Sequence, residues 1–175
     1  MPLYSRPKDE FKMWSKAEIE PVMEKADPRA KPIIALAWIT GARIGEIMSL
    51  KPEDFIVLGD EVRIKMITEK VKGHPLREYT LSIDTPFLRD MVLPFFERPL
   101  PFKKRRAEQL LQAACRESGV KFVFHEMRHS RNTYIARVLR ASMSEMMDWN
   151  GWKSPGQIGT YLIRESPKRF KDMIK

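Results

Sequence analysis

The chain has 175 residues, 43% of them hydrophobic, which suits one domain with a buried core. Its 32 Lys and Arg against 23 Asp and Glu leave a net charge of +9, so the expected partner is a polyanion such as nucleic acid. The single cysteine, Cys115, excludes an intrachain disulfide, and the longest apolar run, residues 33–39, is far short of the roughly 20 needed to span a bilayer. With no secretory signal pattern at the start, a cytoplasmic location is expected.

Residues 1–14 are polar and proline-containing, and read as a tail or linker before a folded domain at 15–175. Ser15 and Glu18 have capping-box spacing for a helix to about Ala26. Asp27-Pro28 can begin a second helix through Thr40, which Gly41 ends, and a short third helix over 43–50 closes at Lys51-Pro52. Residues 55–57, 61–68 and 77–83 are rich in β-branched or aromatic side chains, with turn residues Gly59-Asp60 and Gly73-His74 between them. They predict a small three-stranded antiparallel sheet. Helical patterns then return over 86–97, 103–118, 125–141, 145–150 and 155–163, with a last one after Ser166-Pro167. The fold class is α+β and mostly helical.

Several side chains suit phosphate chemistry. Arg43 opens a short helix just after a glycine, where a bidentate donor meets a backbone that already favours anions; the plainer alternative is a surface ion pair with Glu46. Lys72 sits at the hairpin turn in V-K-G-H-P-L-R, where it can donate a proton, and Lys70 is its rival two residues earlier. His125 and Arg128 are neighbours on one helical face. Trp152 offers an indole N–H, although tryptophan is more often a core anchor. Tyr161 follows nine residues later, a weak nucleophile unless its proton is removed or the developing charge is stabilised.

The stretch His125-Glu126-Met127-Arg128-His129 also fits the H-E-x-x-H zinc-protease pattern, with Glu145 as a conceivable third ligand. Against that reading, Arg128 places a positive charge inside the motif and the downstream G-x-x-H ligand pattern is missing. Zinc also leaves Arg43, Lys72, Trp152 and Tyr161 without a role.

Taken together, these segments resemble the catalytic domain of the tyrosine recombinases, the family of phage integrases and Xer-like recombinases, from about Ser15 to Tyr161. T-G-A-R-I-G-E-I-M-S-L is similar to the family's first arginine segment, with Glu46 at its usual acidic position. K-G-H-P-L-R-E-Y-T-L, from Lys72, aligns without a gap to the hairpin-lysine segment, and H-E-M-R-H-S to the H-x-x-R-H-S segment, which accounts for the zinc-like pattern and leaves His129 structural. In G-W-K-S-P-G-Q-I-G-T-Y, Trp152 replaces the usual histidine and Tyr161 falls at the family's spacing.

The resemblance implies site-specific DNA cleavage and rejoining through a 3′-phosphotyrosyl intermediate, with neither metal nor cofactor. Tyr161 is then the nucleophile, Arg43 and Arg128 hold the non-bridging oxygens, Lys72 protonates the leaving 5′ oxygen, His125 assists proton transfer at the tyrosine, and Trp152 adds a donor. Double-stranded DNA is the implied partner, bound as a homotetramer near the nucleoid. The family's amino-terminal core-binding domain finds no counterpart in the sequence, so it is expected to be separate or deleted. A type IB topoisomerase-like nicking activity and a catalytically inactive DNA-binding module are the alternatives.

Overall fold

The computed structural model describes residues 13–98 and 100–157. Helix α1 (Lys16–Lys25) opens with the expected capping box, Ser15 Oγ accepting from the Glu18 amide and the Glu18 carboxylate accepting from the Ser15 amide. Trp14, assigned to the tail from sequence, is docked on the fold. Its amide donates to Ser130 Oγ at 2.7 Å, its carbonyl accepts from Trp38 Nε1 at 2.6 Å, and its ring lies 5.2 Å from that of Phe122.

Helix α2 (Lys31–Thr40) starts later than Asp27-Pro28. The Asp27 carboxylate accepts from the Arg29 amide at 2.9 Å, so residues 28–30 make a turn that feeds the helix. Nearly every side chain of α2 is buried, as an apolar sequence all round a helix requires, and α6 packs against it. Gly41 ends α2 with φ 66, and α3 (Ile44–Met48) begins directly after Arg43. A Cβ on Gly41 would come within 2.8 Å of Arg131 Cβ and 3.4 Å of Arg128 Cα, so the turn before Arg43 needs both glycine's backbone freedom and its lack of a side chain.

The sheet is antiparallel in the order β1 (Phe55–Leu58), β2 (Glu61–Ile67), β3 (Leu76–Ser82). Val62, Ile64 and Met66 of β2 face the core, as do Arg77 and Tyr79 of β3. Register runs from Glu61↔Ser82 to Ile67↔Leu76, which leaves residues 68–75 as a loop rather than a tight turn. The Thr68 amide donates to the Pro75 carbonyl at 2.9 Å and closes its base.

The helix expected over 86–97 is instead a widened turn. Phe87 enters at φ 68, residues Leu88–Val92 form a single π turn, and α4 is only Leu93–Phe95. Pro94 cannot donate to the carbonyl of residue 90, so a regular ladder cannot run through this stretch. Helix α5 (Lys104–Ser118) buries Ala107, Leu110, Leu111, Ala114 and Cys115, one stripe at helical spacing, and lies against α1. Helix α6 (Phe124–Arg137) stops short of Ala141, where Arg140 turns to φ 53. Helix α7 (Met143–Asn150) starts ahead of Glu145 because Ser142 caps it, and Gly151 ends it at φ 68. The described part of the helix expected over 155–163 is the short 3₁₀ turn Pro155–Gln157. The mostly helical α+β fold with its three-stranded sheet therefore follows the sequence reading.

Candidate active site

Arg43, His125, Arg128 and Lys70 line one cavity of about 510 Å³ between the start of α3, the 68–75 loop, α5 and the start of α6. Lys104 adds a fourth full positive charge to the lining, against two carboxylates, Glu69 and Glu108. The cavity is a basin for an anion. Lys72 lies outside this lining, on the exposed part of the loop, where its carbonyl accepts from Lys153 Nζ at 2.5 Å. That contact ties the hairpin to the segment just after Trp152. Tyr161 lies outside the described residues.

Arg43 occupies the N-cap position of α3 and is about 20% exposed. Its amide donates to Glu46 Oε2 at 2.9 Å, and its Nη1 donates to Glu46 Oε1 at 3.2 Å and to the Glu69 carbonyl at 3.3 Å. The surface-pair alternative is overturned, because Glu46 is only 1% exposed. Glu46 is the residue whose importance exceeds what its motif position suggested. Its carboxylate also accepts from the Glu69 amide at 3.0 Å and from Arg77 Nη2 at 2.7 Å. Burial alone pushes its carboxyl pKa up, but the Arg77 hydrogen bond and charge, the Arg43 amide and the Arg128 charge outweigh it and hold the pKa below the usual range.

Arg128 is a deeply buried cation. It is 5% exposed, its Nη1 donates to the Gly41 carbonyl at 3.1 Å, and its guanidinium carbon sits 5.9 Å from the Trp152 ring. Its Nη2 is buried with no hydrogen-bond partner among the described residues. Burial, then the like charge of Arg43, pulls its pKa down to about 10, with Glu46 opposing. A buried guanidinium nitrogen without an acceptor is costly.

Trp152 is 7% exposed and packs with Ile135, Ala136 and Met146, so it combines the core-anchor role with a face against Arg128. His125 and His129 bring their Nε2 atoms to 2.9 Å, one able to donate to the other. His125 is held below the ordinary imidazole pKa by burial, then by Arg128, Arg43 and Lys70, which favours the neutral ring that a base needs. The acidic side chains of the zinc alternative are turned elsewhere. Glu126 accepts from the Val123 amide at 3.2 Å and Glu145 from the Ser142 amide at 2.6 Å, each closing a helix start. Among the described residues no group of three His, Cys, Asp or Glu side chains is placed to hold a metal ion.

Burial, with His125 and Arg128 adding repulsion, lowers the His129 pKa from 6.5 to about 4. The unfolded chain therefore binds more protons than the folded one between these values, and stability falls as pH drops through that window. The melting temperature is expected to drop between about pH 7 and 5 by more in the wild type than in His129→Gln. Equal drops would remove His129 as the cause.

A model of the phage integrase family matches residues 12–165, which takes in the α3 arginine, the hairpin, the α6 motif and Tyr161. The chain belongs to the phage integrase family. No curated protein matches it. Solved structures that share this fold include two of the XerH site-specific recombinase. A pre-cleavage complex bound to difH substrate has a TM-score of 0.65 at 18% identity over 84% of this chain and 49% of the recombinase chain. A post-cleavage complex with palindromic difH substrate has a TM-score of 0.66 at 17% identity over 93% and 53%. The integrase-family chain thus spans about half the length of these recombinase chains.

Proposed function

We propose that the chain is the catalytic domain of a site-specific DNA recombinase that cleaves and rejoins strands through a 3′-phosphotyrosyl bond. The observation that carries this reading is the meeting of Arg43, His125, Arg128 and Lys70 in the lining of one cationic cavity. Two guanidinium groups on one phosphate stabilise the charge of a pentacoordinate transition state. The Tyr161 oxygen attacks phosphorus as its proton passes to His125, and the bond from phosphorus to the 5′ oxygen breaks. A loop lysine protonates that departing oxygen: Lys72 in the sequence motif, or Lys70, which lines the cavity. Trp152 packs beside Arg128 and holds it. A 5′ hydroxyl from another strand reverses the step, so no external energy source is needed.

Double-stranded DNA is the proposed partner, bound by a homotetramer. The proposed setting is the nucleoid, with a mobile element as the source. The similarity to recombinase chains crystallised on difH DNA supports the substrate class. A pool of nicked duplexes with a randomised centre tests the reaction, because a nick near the cleavage point traps the covalent adduct. The wild type is expected to form an adduct that survives denaturant, Tyr161→Phe none, and EDTA is expected to leave the yield intact. No adduct from the whole pool overturns the reading, EDTA-sensitive activity revives zinc, and adduct formation indifferent to sequence favours a topoisomerase-like nicking enzyme. On the selected duplex, Lys70→Ala and Lys72→Ala with oxygen or sulfur as the leaving atom identify the acid, since only its loss is rescued by sulfur.

A further inference from the structure

Arg77 is a basic residue near the start of the edge strand β3, and its side chain points inward with 7% exposure. Its guanidinium is shared among three parts of the fold. Nη1 donates to Thr68 Oγ1 at 2.9 Å, Nη2 to Glu46 Oε2 at 2.7 Å, and Nε and Nη2 to Tyr79 Oη at 2.9 and 2.8 Å. Thr68 is the first residue of the lysine loop, and the next amide, Glu69, is held by Glu46. Glu46 in turn holds both the amide and the Nη1 of Arg43.

The same groups reach the segment that leads to Trp152. A Cβ on Gly151 would come within 2.8 Å of Thr68 Cγ2, so the loop base and the end of α7 fit against each other through a glycine. The Tyr79 ring lies 4.6 Å from that of Trp149, whose Nε1 donates to the Thr40 carbonyl at 2.7 Å. One planar cation therefore stands where the loop, the arginine turn and α7 converge.

We propose that Arg77 is a positioning residue that sets the lysine loop against the Arg43–Arg128 cavity through Thr68 and Glu46. It touches no substrate. The inference rests on the function proposed above, and the fork geometry explains the residue type. A guanidinium directs separate N–H groups at three acceptors in one plane, whereas a lysine offers a single nitrogen. Thr68→Val deletes only the loop contact, and Arg77→Lys removes the fork but keeps the charge that Glu46 requires.

Single-turnover adduct formation on the selected nicked duplex, with oxygen or sulfur at the leaving 5′ position, separates positioning from general loss of fold. Sulfur needs no protonation to leave. Thr68→Val is expected to be about 10-fold slow with oxygen and close to wild type with sulfur, because only the acid has moved. Arg77→Lys is expected to lose on the order of 100-fold with oxygen and to recover in part with sulfur, the remainder belonging to Arg43. Hydrogen exchange gives a readout that needs no activity: amides of the 68–75 loop are expected to exchange faster in both variants while those of α2 stay protected. Unchanged loop exchange overturns the proposal, as does an equal Thr68→Val deficit with oxygen and sulfur. If the wild type forms no adduct, the recombinase reading fails and loop exchange alone decides the coupling.

Discussion

Arg128→Met is expected to slow covalent adduct formation by on the order of 100-fold or more while leaving the melting temperature near that of the wild type. The two effects separate if the guanidinium serves the proposed phosphate contact rather than the fold. Burial and then repulsion by Arg43 hold its pKa well below the usual arginine value, at about 10, and its buried Nη2 has no acceptor among the described residues. Methionine keeps an unbranched apolar stem beneath Trp152 and removes a desolvated charge. Against that gain stands the hydrogen bond to the Gly41 carbonyl, worth about 1 kcal/mol. Single-turnover cleavage and a thermal melt of the same variant check both halves. Cleavage comparable to wild type removes Arg128 from the reaction, and a large fall in melting temperature makes it a structural cation. Arg43→Ala is expected to lose cleavage on the same scale, since it supplies the second guanidinium of the same cavity.

Glu46→Ala is expected to have the opposite balance, a heavy loss of stability from which loss of activity follows. The carboxylate is essentially inaccessible and takes hydrogen bonds from two arginine side chains and two backbone amides. Its removal leaves Arg77 as a buried cation without a counter-charge, a defect that costs about 3–5 kcal/mol. For a chain of this size that lowers the melting temperature by on the order of 10 °C. The ion pair also has a pH signature. Since the folded Glu46 pKa lies below its ordinary 4.5, its contribution is complete above that value and disappears as pH falls below it. A Glu46→Ala melt within about 2 °C of wild type at neutral pH would show that the buried pair does not hold the site together.

What the sequence disclosed depended on whether the signal was local. Ser15 with Glu18 is a complete capping motif within four residues, Gly41 states a left-handed turn by itself, and the strand pattern 61–67 alternates cleanly. The stretch 86–97 misled because apolar periodicity outweighed Pro94, whose missing donor widens the turn. Arg77 was invisible for a different reason. Its place on the inner face follows from strand alternation with Tyr79, but a basic residue in a basic chain reads as solvated until its partner on α3 is known. The order of the motifs foretold that Arg43, His125 and Arg128 belong together. It did not foretell that Lys70, at φ 57, lines their cavity while Lys72 stays outside it, because loop geometry over 68–75 is set by contacts with Glu46 and Arg77.

Gly41 and the backbone beneath Arg128 touch across a separation of 87 positions in the chain. With no side chain on Gly41, the spacing between the turn that leads to Arg43 and the backbone of α6 is gauged by atomic radii instead of by any adjustable contact. A single methyl group at Gly41 would thus act as a shim, pressing first on Arg131 and pushing the turn before Arg43 away from α6 without altering one charge in the protein.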